Sequence, residues 1–216
     1  MWSRPRLTLL ITATASTVMV ALVFLAWQAR EPTYKGLTIR DWLSLVMDPE
    51  QNEALVVLGT NNLQLLLHRI DYDPVSDRTL RLYARFPVQL RRSNGMFFNI
   101  ATERMTMARD ANEVLKQLGP LASPLVRQLS QIAHTHGEFP ARRALSVLDT
   151  IGEQARPAII SLVGHTNSTM RFEAMLRLAE YTNSLPAREA LTNALADPDP
   201  EIRKHAQDIL TGRAFE

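Results

Sequence analysis

Leu115-x-x-Leu118-Gly119-x-x-Ala122-x-Pro124-Leu125-Val126-x-x-Leu129 returns 33 residues later as Leu148-x-x-Ile151-Gly152-x-x-Ala155-x-Pro157-Ala158-Ile159-x-x-Leu162. A fainter copy lies upstream, where Leu55-x-x-Leu58-Gly59 is followed by Leu65, Leu66 and Leu67, with Gln64 in the place of the proline. Arg109 and Arg142 stand ten residues before the two later glycines, and Ala111, Ala144, Ala174 and Ala206 recur at a matching interval. Such self-similarity marks a repeated supersecondary unit.

Each position of the unit has a physical reason. Leucines three and four apart form one face of a helix, and a small alanine lets the next unit approach closely. A glycine at the helix end accepts the left-handed turn that a Cβ resists. Pro124 and Pro157 then fall in the first turn of a second helix, where a missing N–H costs little. One helical pair cannot cover both of its apolar faces, so neighbouring units must stack. Elsewhere apolar residues also keep helical spacing, and no stretch alternates as a strand bounded by hairpin turns. The expected fold class is all-α.

The closing segment adds a more specific pattern: Leu195-Ala196-Asp197-Pro198-Asp199-Pro200-Glu201-Ile202-Arg203-x-x-Ala206-x-x-Ile209-Leu210, with a diverged copy at Asn167-Ser168-Thr169-Met170-Arg171-x-x-Ala174-x-x-x-Leu178. These residues resemble HEAT repeats, the two-helix units of α-solenoids. The resemblance covers roughly 51–210 and implies a short right-handed α-solenoid over 51–216. It breaks at a non-repeat insertion near 71–100. In the family pattern the Asp caps a helix and the Arg joins a ladder between repeats. The second helices line the concave face, so the resemblance and helix phase point to Gln64, His68, Arg127, Gln128, Gln131, Ser161 and Asn193 as partner contacts.

Ahead of the repeats, Leu7 to Trp27 is an uncharged run that follows a short tail (1–6) carrying Arg4 and Arg6. As a helix it would rise about 31 Å, enough to span a hydrocarbon core. A cleaved signal peptide is the weaker reading, because cleavage after Ala26 or Ala29 would leave bulky Phe24 or Trp27 three residues from the cut. The expectation is an N-terminal transmembrane anchor with its N-terminus in the cytoplasm and the remaining domain on the outer, periplasmic or extracellular, side. The chain contains no cysteine, which fits that compartment and excludes disulfides. Residues 28–50 form a tether and a short first helix. There, Tyr34-Lys35-Gly36-Leu37-Thr38-Ile39-Arg40-Asp41-Trp42-Leu43 reads as a turn and then a helix capped by Thr38, with Ile39 and Trp42 closing the first repeat. This segment is similar to the corresponding stretch of membrane-anchored bacterial HEAT-like proteins of undefined function.

The formal net charge is +2 and the cations are dispersed, so charge gives nucleic-acid binding no support. Arg78, Arg81 and Arg85 share a face of a helix expected from Val75 to Phe86, with Arg91 and Arg92 nearby. The expected reading is a solvated face paired with Asp71, Asp73 and Asp77; the alternative is a site for an anionic partner, a phosphate or lipid head groups. His134-x-His136 with Glu138 is too sparse to specify a metal. Asp197 and Asp199 beside prolines read as caps, Asp110 and Glu113 as a wet helix face, and Met105, Met107, Phe97 and Phe98 as core. No phosphate loop, nucleophile elbow or zinc-protease helix occurs.

The expected function is therefore a noncatalytic, membrane-anchored scaffold for a protein partner, with no cofactor, small-molecule substrate or nucleic acid. The alternatives are a HEAT-like enzyme of lyase or glycosylase type, and a structural protein that lies on lipid through the Arg78 helix.

Overall fold

The computed structural model describes residues 31–45, 48–85 and 96–213. The 7–27 run, Arg91 and Arg92 lie outside these. The described chain opens with a two-stranded antiparallel ribbon, β1 (Thr33–Tyr34) and β2 (Leu37–Thr38), turned by Lys35 and Gly36 at φ 50° and 82°. Every described secondary-structure element that follows is a helix.

Thr38 caps α1 (Ile39–Ser44) and receives the Asp41 N–H, while the Asp41 carboxylate accepts the Thr38 N–H in return. This reciprocal box lets so short a helix begin cleanly. Ile39 and Trp42 are buried where α1 meets α2 (Gln51–Asn61) and α5 (Met96–Leu118). The helices between are α3 (Leu63–Ile70) and α4 (Arg78–Ala84), and beyond α5 come α6 (Val126–Thr135) and α7 (Glu138–Ile151). The last four are α8 (Arg156–Leu162), α9 (Ser168–Leu178), α10 (Leu185–Asn193) and α11 (Pro200–Thr211).

Two rows of contacts organise the helices. In one, α2 packs on α5, α5 on α7, α7 on α9 and α9 on α11; in the other, α6 packs on α8 and α8 on α10. The rows meet through α6 with α7, α8 with both α7 and α9, and α10 with both α9 and α11. One apolar cluster runs through them from Ile39 to Ile209. Ala111, Ala144, Ala174 and Ala206, one on each of α5, α7, α9 and α11, have no exposed surface. Their missing side-chain bulk is what lets consecutive members of that row come close.

Gly119 and Gly152, at φ 51° and 82°, start short 3₁₀ segments, Gly119–Leu125 and Gly152–Ala155, that lead into α6 and α8. Pro157 is in the first turn of α8, as its geometry requires, but Pro124 sits in the 3₁₀ segment just before α6. Gly59 differs from both glycines. It lies within α2, and a Cβ there would come within 2.9 Å of Leu118 Cδ1 and 3.0 Å of Val114 Cγ1. Its role is close approach of α2 to α5, not a turn.

Three other expectations need correction. Asp110 is 7% exposed, not on a wet face, because Arg40 of α1 reaches across α5 to pair with it at 3.1 Å. Met105 is exposed and Met107 half-buried, so that pair does not form core. The insertion helix is shorter than Val75–Phe86, since Asp73 to Ser76 form a turn that accepts the Val75 N–H on Asp73 Oδ1 before α4 begins.

Candidate functional site

The junction of α6, α8 and α9 gathers two imidazoles and a hydroxyl. Asn167 caps α9 by accepting the Thr169 N–H on its Oδ1, while its own N–H donates to His165 Nδ1 at 3.0 Å. His165 therefore carries its hydrogen on Nε2, which faces the His134 carbonyl at 3.3 Å. Ser161 donates to the Ala158 carbonyl at 2.7 Å, so its oxygen accepts from His134 Nε2 at 2.9 Å. The two rings lie 5.8 Å apart. Burial, and secondly the neighbouring His165, hold His134 below the ordinary imidazole pKa. The Ser161 proton points away from His134, so the pair is not arranged as a nucleophile and its base.

Beside this junction, a cleft of about 620 Å³ opens between α8 and α10. Ile160, Val163, His165, Arg171, Glu189 and Asn193 line it, with Asp197 at its end. Arg171 grips Asp197 with two hydrogen bonds, Nε to Oδ2 at 2.8 Å and Nη2 to Oδ1 at 2.9 Å, and both side chains are nearly buried. Its remaining nitrogen donates to the carbonyls of His165 and Thr166. Burial would raise the Asp197 carboxyl, but the Arg171 hydrogen bonds, the Asp199 N–H and the charges of Arg171 and Arg203 together hold it below the usual carboxylate range. Asp199 caps α11 by accepting the Glu201 N–H. One of the two acids thus caps a helix, and the other ties α9 to the start of the next unit.

Of the positions singled out, those on α6, α8 and α10 lie along one row. Arg127 and Gln131 are exposed on α6 with Gln128 half-buried, Ser161 is exposed on α8, and Asn193 of α10 is exposed in the cleft. Gln64 and His68 are exposed on α3, which packs on α5 and also meets the Gly119–Leu125 segment and α7. Asn193 lines the cleft, whereas Ser161 is next in sequence to the lining residue Ile160 and is not itself part of the wall. His165, Arg171 and Glu189 were not singled out, because their convergence depends on how α8, α9 and α10 pack. The Asp-x-Asp and Arg pattern was the available signal for Arg171 and Asp197.

His134 and His136 diverge. His134 turns to Ser161 and His165, whereas His136 pairs with Asp71. Among the described residues no group of three His, Cys, Asp or Glu side chains is placed to hold a metal ion.

The insertion forms a second feature. Arg143 of α7 donates to the carbonyls of Ile70 and Tyr72, so a guanidinium ties off the C-terminal end of α3. Tyr72 donates to Asp77 at 2.9 Å, and Arg104 of α5 pairs with the same carboxylate at 3.0 Å. Burial first, and then the Asp77 carboxylate, push the Tyr72 hydroxyl up to about 12. Arg78, Arg81 and Arg85 are all exposed, and no ion pair joins them to an acid among the described residues. Arg81 donates a hydrogen bond to the Ser76 carbonyl.

No family model, curated protein or solved structure matches this chain. Among the described residues no helix is long and apolar enough to cross a membrane.

Proposed function

We propose that this chain is a noncatalytic, membrane-anchored scaffold of the HEAT-repeat type, a short right-handed α-solenoid that offers its second-helix row to a protein partner outside the cytoplasm. The observation that carries this reading is the serial packing of α5, α7, α9 and α11 beside α6, α8 and α10. With each unit touching its neighbours in that way, the second helices share a continuous surface. Polar Arg127, Gln131, Ser161 and Asn193 are exposed along it, and the cleft between α8 and α10 supplies a concave seat with both charge signs on its wall. The site chemistry supports binding over catalysis: Asp197 is engaged by Arg171, and the hydroxyl of Ser161 is committed to a carbonyl. Residues 7–27 serve as the anchor, and Arg4 and Arg6 keep the N-terminus inside.

The test places a photo-crosslinking amino acid at Gln131, Asn193 or, as a control on α11, Lys204 of the full chain in its native membrane. A discrete adduct from Gln131 and Asn193 but not from Lys204 is expected. Equal labelling from all three, or none, would remove the second-helix row as the binding face. A phosphatase fused to the C-terminus should be active only with the domain exported.

A further inference from the structure

The face of α4 that carries its arginines also carries an apolar residue. At about 100° per residue, Arg78, Arg81 and Leu82 fall within roughly a third of the α4 circumference, and exposed Arg85 follows directly after its last residue. Leu82 is 58% exposed, and Val75, in the turn that precedes α4, is 70% exposed. Half-buried Leu80 lies on the far side of the helix, in keeping with the packing of α4 on α5. Cations interleaved with bared apolar side chains suit a surface that is negative outside and oily just beneath. Among the described residues the nearby acids form no ion pair with these arginines: Asp77 is engaged by Arg104 and Tyr72, Asp71 pairs with His136, and Asp73 accepts the Val75 N–H.

A second observation ties the start of the described chain to the segment that leads into α4. Glu31, the first described residue, pairs with Arg69 at 2.9 Å, and both are largely buried. Arg69 is one residue short of the end of α3, and Tyr72, three residues further on, holds the start of α4 through Asp77. Glu31 is thus tied to the end of α3, and the turn that follows α3 leads through Tyr72 and Asp77 into α4. Only three residues lie between Trp27 and Glu31, so the four steps from one to the other reach at most about 14 Å.

We propose that α4 docks on the anionic surface of the bilayer in which residues 7–27 are anchored, and so fixes the orientation of the domain above it. This rests on the anchor reading given above. Arg78, Arg81 and Arg85 meet lipid phosphates while Leu82 and Val75 enter the interface, leaving the second-helix row free for a partner. Each arginine contributes about fivefold to the docking equilibrium, and added salt weakens it.

Because the chain contains no cysteine, Leu82→Cys creates a single thiol for an environment-sensitive fluorophore, with Lys204→Cys as a distant control. The full chain is reconstituted in vesicles with and without phosphatidylglycerol, and its anchoring is read separately by resistance to alkaline extraction. Expected is a blue shift at position 82, quenched by lipid-borne quenchers, in anionic vesicles only, with no shift at position 204. Replacing Arg78, Arg81 and Arg85 by Gln should lose the shift, and replacing them by Lys should restore most of it. An anchored chain whose position 82 stays aqueous in anionic vesicles overturns docking and leaves the anchor standing. A shift that survives the Gln variant overturns the role of the arginines. A chain released by alkali sinks the anchor, and docking with it.

Discussion

Arg171 and Asp197 show how one residue pair can join two units. The pair is nearly buried and hydrogen-bonded in a fork, so removing one partner leaves the other charge poorly satisfied. Asp197→Asn should therefore lower stability by about 2 kcal/mol in a urea titration. A depressed carboxyl pKa contributes stability that is present above the ordinary carboxylate pKa and lost as pH falls through the lower folded value. The wild type should therefore lose stability more steeply than Asp197→Asn below about pH 4. Gly59 tests the opposite kind of residue, one needed for what it lacks. Ala would favour the helix, but its Cβ would press on Val114 and Leu118, both buried. Gly59→Ala should lose about 1 kcal/mol net, and Leu118→Ala in the same chain should relieve the clash, which a double-mutant cycle would reveal as coupling. The repeat pattern made Gly59 resemble Gly119 and Gly152, since a glycine required for close approach and one required for a left-handed turn are indistinguishable as letters.

Element junctions carry the polar organisation of the molecule. His134 joins α6 to α8 in its neutral form, and its folded pKa is lowered by burial and by His165. As pH falls through about 6.5, the unfolded chain takes up the proton before the folded one, so stability is complete above that pH and declines below it. The denaturation midpoint should drop between pH 7.5 and 5.5, and His134→Gln should flatten that drop while keeping an N–H for Ser161. No drop would mean that His134 is charged as readily folded as unfolded. α1 and α3 are held in a similar way from outside their own sequence, by Arg40 reaching Asp110 and by Arg143 reaching the carbonyl of Ile70. Neither tie could be read from local spacing, because the partners stand about seventy residues apart in the chain.

At the scale of the molecule, each layer shields its neighbour. α11 covers α9 and α10 with Ile202, Ala206 and Ile209, all buried. Ending the chain after Asn193 would bare Met170, Ala174, Met175 and Leu191 in their place. Such a chain should bind a hydrophobic dye and unfold at a lower temperature, with amide exchange quickening first in α9 and α10 and only later in α5. Uniform loss of protection across all helices would instead indicate a single indivisible core. The same layering gives the cleft between α8 and α10, whose wall draws on three helices and the turn before α11.

Helix periodicity, the turns at Gly119 and Gly152, the caps at Thr38, Asn167 and Asp199, and the four inward alanines were all legible in the amino-acid order. Each depends on residues a few positions apart, or on a unit that recurs. The burial of Asp110, the exposure of Met105, the convergence of His134, His165 and Ser161, and the exposed arginine face of α4 required the packed chain. Those features depend on which distant helix supplies a partner or withholds one, and the free energy of burying or pairing a polar group is set by that neighbour.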